Sequence, residues 1–333
     1  MIDRARLLQL TTARLLAGRP YFATFLISSV IVSRWFVPGT FISTGDMGPW
    51  IRQGWAPEAT SSWNHTVSGA GSAAFTVARG FEFIVLKFVG LFGGDEYVGQ
   101  WFFYTLIYGL VGVGTAYAAR ALVKSEPAAV AAGTFAVLNG FFLTRLPNPL
   151  NIISVGSIAL LTGLALRVAR GRSIGAPWAG IALLPTSFLA FNPPMIVVAY
   201  AWTLAGLPIL ALLIFGWTGF GRLVKWMIFA APWALLINIW WLVPFAYSYL
   251  GGGGAVANAD FTDPTAWSWS QAQNKIPNIL TMVANWAWVK PQYLPFAADL
   301  DQPWIVWMRY LIPVLIFLTP VLAIRKLRRA ALV

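Results

Sequence analysis

Long apolar runs recur along almost the whole chain, separated by short polar or charged breaks. Each run approaches the ~17–25 residues that a helix needs to cross a bilayer. The pattern predicts eight transmembrane helices, over 21–37, 97–119, 127–144, 150–168, 175–191, 195–216, 225–249 and 305–324. Eight crossings return both termini to one side. On that side the connections 123–126, 169–174 and 217–224 are short. The opposite face receives two long loops, 38–96 and 250–304. The apolar stretch 81–92 is short for a crossing and is punctuated by Arg79, Glu82 and Lys87. It reads as an amphipathic helix lying on the outer interface. The expected fold is an all-α polytopic membrane protein, with 1–333 forming one membrane domain.

Charge orients this arrangement. Four arginines, Arg4, Arg6, Arg14 and Arg19, precede the first apolar run. They look like a signal-peptide leader, but no small-residue cleavage site follows, so the run reads as an uncleaved anchor. With eight spans, fifteen of the 23 basic residues fall on the side of the termini and eight on the other. Nine of the 11 acids fall opposite the termini, leaving only Asp3 and Glu126 beside them. The positive-inside rule then makes both termini cytoplasmic and the chain a multi-pass plasma (inner) membrane protein. Topology and contact with anionic lipid account for the net charge of +12, so no nucleic-acid partner is called for.

Composition narrows the chemistry. At 58% hydrophobic and 10% charged residues, the chain lies far from the ~25% charged content of soluble domains. It has no cysteine, and His65 is its only histidine. Disulfides, thiolate metal sites and His-rich metal sites are therefore excluded. The cytoplasmic connections are too short for a nucleotide-binding fold, and no phosphate-cradling loop appears between a strand and a helix. Gly112 and Gly114 lie inside a predicted helix, where small residues permit close packing.

The outer loops carry the candidate chemistry. Trp50, Trp55 and Trp63 lie in the first, and Trp267, Trp269, Trp286, Trp288 and Trp304 in the second, alongside most of the acids. Indoles collect at membrane interfaces; they also pack against the C–H faces of sugar rings. Asp46, in Thr44-Gly45-Asp46-Met47-Gly48-Pro49-Trp50, stands a few residues outside the first span. Its plainer reading is a helix N-cap. Asp95-Glu96 stands just outside the second span, where capping is again the plainer reading and binding of a metal or acceptor the alternative. His65, in the polar stretch Trp63-Asn64-His65-Thr66, serves as an ordinary hydrogen-bonding residue or takes a catalytic, acceptor-binding or metal-binding role. Gly251–Gly254 is a hinge or a slack connection.

An N-terminal anchor, a long outer loop opening with Gly45-Asp46, an interfacial helix and then short-looped spans resemble a GT-C glycosyltransferase. These enzymes use polyprenyl-phosphate sugars at the outer face. Leu138-Asn139-Gly140-Phe141-Phe142-Leu143-Thr144-Arg145, Phe191-Asn192-Pro193-Pro194 and Asn238-Ile239-Trp240-Trp241-Leu242-Val243-Pro244 carry the resemblance further. With Asn285-Trp286-Ala287-Trp288, they are similar to the membrane region of mycobacterial and corynebacterial arabinofuranosyltransferases of the D type. The resemblance covers most of the chain through short motifs. Family members are longer and carry large outer carbohydrate-binding domains. The resemblance thus implies a fragment, a split product or a reduced relative, partnered by additional membrane or carbohydrate-binding subunits.

What the resemblance implies is transfer of a sugar, arabinofuranose, from a polyprenyl-phosphate donor to a cell-envelope glycan. Asp46 matches the family's first-loop catalytic acid by position. Arg145 is the first choice for the donor phosphate, with Arg52 and Lys275 behind it and Arg309 weaker; each is otherwise an interfacial snorkelling residue. The leaving phosphate needs cationic or hydrogen-bonding stabilisation or a divalent cation, Mg or Mn; no other cofactor is implied. Two other classes stay open: a lipid-linked-sugar flippase and a non-catalytic membrane scaffold. Against transport, the spans hold few ionisable groups at mid-depth.

The topology is tested by single cysteines placed at Ser125 or Ser173, since the native chain offers no background thiol. Both should label only from the cytoplasmic side. Labelling from outside alone would overturn the assignment.

Overall fold

A long apolar segment in lipid satisfies its backbone N–H and C=O groups most simply as a helix, and the described parts of the apolar runs are almost wholly helical. The computed structural model describes residues 4–37, 40, 80–139, 150–191, 193–250, 275–281, 297–311 and 313–314, and no strand occurs among them. In chain order the helices are α1 (Arg4–Ser33), α2 (Gly80–Leu91), α3 (Glu96–Leu122), α4 (Glu126–Leu138) and α5 (Leu150–Ala169). Then follow α6 (Pro177–Leu183), α7 (Pro193–Ala201), α8 (Leu207–Leu250), α9 (Ile276–Leu280) and α10 (Ala297–Leu300). A 3-10 segment, Leu184–Phe191, extends α6, and a π-type turn, Trp202–Gly206, joins α7 to α8. Two compact units divide the chain: Met1–Leu138 with Asn148–Ala259, and Asn139–Pro147 with Asp260–Val333.

In the first unit α3 is the central element. α1 runs antiparallel to it, with Tyr21 against Tyr117 at one end and Phe36 against Tyr104 at the other, the ring centroids 5.7 and 5.5 Å apart. Thr24 and Ser28 of α1 are fully buried on this contact. Their hydroxyls donate to the carbonyls of Pro20 and Thr24, at 2.7 and 2.8 Å, so they bring no unsatisfied donor into the core. α4 returns along α3 and α1. α5 then packs parallel to α3 at backbone distance: a methyl built on Gly114 would lie 2.6 Å from the Gly156 carbonyl oxygen. One built on Gly156 would lie 2.8 Å from the Val111 nitrogen. The expected close packing is therefore present, Gly114 facing Gly156 of α5 and Gly112 facing Thr24 and Ser28 of α1 and Val137 of α4.

α6 runs back along α5, where the Ser157 hydroxyl donates to the Ala182 carbonyl. The next two passes differ from the sequence reading. Residues 217–224, expected as a cytoplasmic loop, are helical, and the whole reversal is made at Gly216 with φ 66° and ψ −168°. This region of backbone space is essentially restricted to glycine. Before it, the Trp202 indole donates to the Thr162 hydroxyl at 3.2 Å. After it, the Trp226 indole donates to the Ile174 carbonyl at 3.0 Å, and the Asn238 amide donates to the Gly180 carbonyl at 3.1 Å. The two arms of α8 thus run in opposite directions, one beside α5 and the other beside α6.

Among the described residues three helical stretches are long and apolar enough to cross a membrane: Tyr97–Leu122, Ile152–Ala169 and Val198–Ala246. In their most apolar windows, 56% and 67% of the first two lie inside the protein but only 17% of the third. Leu213, Ile228, Leu235 and Val243 of α8 instead point outward. An extended apolar exterior of this kind is what a helix presents to lipid. α2, with 12 residues, spans only ~18 Å, short of the ~30 Å hydrocarbon core. It buries Glu82, Val85 and Val89 and exposes Ile84, Phe88 and Leu91, so its carboxylate faces the protein.

Gly114→Val should cost at least about 1–3 kcal/mol through overpacking against α5, seen as a lowered thermal unfolding midpoint in detergent. Gly221→Ala is the matched control, because nothing lies within 4 Å of its added methyl. It should be neutral or stabilising by up to ~1 kcal/mol. Equal midpoints for the two variants would refute the backbone-contact account.

Candidate functional site

Charge separates along the first unit. The turns after α3 and α5 lie together with the Gly216 reversal at one end. Arg167 joins three helices there: its guanidinium donates to the carbonyls of Tyr117 (2.8 Å) and Gly163 (3.0 Å) and to the Tyr21 hydroxyl (3.3 Å). It also lies 3.4 Å from the Tyr117 ring centroid. Arg170 donates to the Leu122 carbonyl at 3.4 Å and lies 5.7 Å from the Phe215 ring. Arg120 pairs with Glu126 at 3.8 Å. Arg170 stands where a C-terminal carbonyl of α3 needs a donor.

The opposite end carries α2, the start of α3 and the exit from α1. At that exit the Ser33 hydroxyl accepts from the Trp101 indole at 3.1 Å, and Phe36 meets Tyr97 edge-on at 6.0 Å. The chain therefore enters its first long loop beside the first turn of α3, where Asp95 and Glu96 stand. Asp95 is the N-cap of α3: its backbone is extended, and its Oδ1 accepts the Val98 amide at 2.9 Å. Glu96 is the first residue of the helix. Beneath them Tyr104 and Tyr108 stack at 6.4 Å, with Trp35 edge-on to Tyr108 at 4.8 Å, making a rigid aromatic floor.

Among the expected site residues, Asp46, Arg52, His65 and Arg145 lie outside the described residues. So do all the loop tryptophans named above except Trp304. In the second unit Lys275 is exposed at the head of α9, its carbonyl accepting the Ile279 amide at 3.0 Å. Arg309, the weaker phosphate candidate, is ion-paired with Asp301 at 3.0 Å. Trp304 and Trp307 leave 61% and 77% of their surface uncovered, as interfacial indoles do. Among the described residues no three acidic or histidine side chains gather to hold a metal ion.

Two features escape sequence reasoning. Glu82 is 1% exposed, a buried carboxylate at the end of the unit that carries Asp95. Its only signal was an acid inside an apolar run. Asn238 and Trp241, within one of the resemblance motifs, form a buried knot. The Trp241 indole donates to the Asn238 amide oxygen at 3.0 Å, while the Asn238 amide nitrogen donates to Gly180 and Ala234 carbonyls. Packing is a sufficient reason for these two residue types.

Asp95→Ala should lower stability by about 1 kcal/mol, whereas Asp95→Asn should leave it nearly unchanged, as read from thermal unfolding. Equal losses for both variants would show that the carboxylate does more than cap α3. No family model, curated protein or solved structure matches this chain.

Proposed function

We propose that this chain is a multi-pass plasma-membrane glycosyltransferase of the GT-C type. In this reading eight spans leave both termini cytoplasmic. It moves arabinofuranose from a polyprenyl-phosphate donor to a cell-envelope glycan at the extracytoplasmic face. The observation that carries the reading is the polarity of the first unit. The long loop bearing Asp46 leaves α1 at the end that holds the three acids Glu82, Asp95 and Glu96 with Arg34 and Lys87, opposite the arginine-rich turns. Among the described residues the three long apolar stretches keep Arg120, Arg167, Arg222 and Lys225 close to that arginine-rich end. Among the described residues these stretches hold no charge at mid-depth, which favours chemistry at a face over transport through the bundle.

The reaction uses few groups. Asp46 takes the proton of the acceptor hydroxyl as that oxygen attacks the anomeric carbon. The bond from that carbon to the phosphate oxygen breaks, and polyprenyl phosphate leaves with the electron pair. Arg145, Arg52 and Lys275 are the cations assigned to the leaving phosphate. A lipid-linked donor enters sideways from the membrane, so no nucleotide fold is needed.

Asp46→Asn separates catalysis from capping, because asparagine caps a helix nearly as well but accepts no proton. The purified variant, supplied with a defined polyprenyl-phosphate donor, should fold normally and lose about 10²- to 10⁴-fold in turnover. Near-normal turnover would remove Asp46 from the chemistry. Transfer from a soluble nucleotide sugar alone would remove the donor assignment.

A further inference from the structure

α1 and α4 do not close against each other along their full length. Gly133 brings α4 to backbone contact with α3, a methyl there falling 2.5 Å from the Gly112 carbonyl oxygen. On the side away from that contact, a cavity of about 740 Å³ stays open between the two helices. Pro20 and Ala23 form its wall on α1, and Val130, Ala131, Phe135 and Leu138 continue it on α4. The α4 positions share one helix face, spaced three and four apart. From Pro127 to Leu138 that face measures ~16 Å, about half of a ~30 Å hydrocarbon core. The groove is therefore as deep as one leaflet and within the ~300–1,000 Å³ of small-molecule sites.

Its mouth is charged. Arg19 and Glu126 stand there, but Glu126 is compensated by Arg120 at 3.8 Å. Arg19 is exposed and makes no ion pair among the described residues. The neighbouring turns add Arg167 and Arg170, so the end as a whole is strongly positive. An apolar slot one leaflet deep beneath a guanidinium with no ion pair among the described residues matches an acyl chain beneath a phosphate.

We propose that the α1–α4 groove binds an anionic phospholipid, one acyl chain lying along Ala23, Ala131 and Phe135 and its phosphate on Arg19. The site rests on the membrane embedding argued above but not on glycosyl transfer, and it lies at the end of the unit opposite the acids. One basic residue near an anionic surface is worth about a fivefold preference.

The test uses the full chain with Ala131→Cys as its only thiol, labelled with bimane and placed in phosphatidylcholine vesicles. Brominated phosphatidylglycerol should quench the label about fivefold more effectively than brominated phosphatidylcholine at equal mole fraction. Arg19→Gln should bring the ratio close to one. A label at Ile228→Cys, on the outward face of α8, should show no preference. Native mass spectrometry of the unlabelled chain should show retained phosphatidylglycerol that Arg19→Gln loses. Equal quenching by the two lipids would overturn the proposal, leaving bulk lipid contact only. So would the absence of quenching by either lipid, which would mean that protein fills the groove, or a preference that survives Arg19→Gln. None of these measurements reads sugar transfer, so failure here and failure of the enzymatic reading are separate results.

Discussion

No side chain separates α3 from α5 where Gly114 meets Gly156, and the first unit is organised around that contact. In lipid, apolar side chains gain little by leaving their surroundings, so helices associate through close packing and hydrogen bonds. Two helices that touch through their backbones maximise that packing. Once α5 is seated, Arg167 arrives within reach of Tyr117 and Tyr21 and locks α1, α3 and α5 at one end. Its cation satisfies helix carbonyls there while lying over an aromatic ring.

The periphery obeys a different rule. α8 contributes Leu207, Ala211, Leu223, Ala230 and the Asn238–Trp241 knot to the interior and turns many of its other aliphatic side chains outward. A soluble protein would bury Leu213, Ile228 and Leu236; here they are among the more exposed residues. Polar groups are treated in the opposite way. Thr24, Ser28 and Ser157 are buried, each with its hydroxyl bonded to a carbonyl.

This division bears on where chemistry can occur. The described helices pack without charges at mid-depth, and titratable groups collect at the two ends. One end is arginine-rich, with cations occupied by helix carbonyls, an ion pair and aromatic rings. The other carries Glu82, Asp95 and Glu96 together with Arg34 and Lys87 and opens, beside Tyr97 and Trp101, onto the first long loop. An enzyme drawing its donor from the bilayer and its acceptor from outside would work at such an end.

The helical class, the long apolar stretches Tyr97–Leu122 and Ile152–Ala169 and the Asp95 cap were legible from the sequence alone. Each depends on local rules: run length, a polar residue ahead of an apolar run, and small residues repeated on one face. Gly114 was legible as a packing position for the same reason, but its partner Gly156 was not, because pairing joins residues distant in sequence. The tertiary structure decided that the chain reverses at Gly216 rather than across residues 217–224. A single glycine can adopt a backbone angle that makes a loop unnecessary, and composition does not reveal when it does. Tertiary structure also decided that Glu82 faces inward while Ile84 and Phe88 face out. Hydropathy ranks residues by their preference for water, but which face of α2 meets protein depends on where α3 lies.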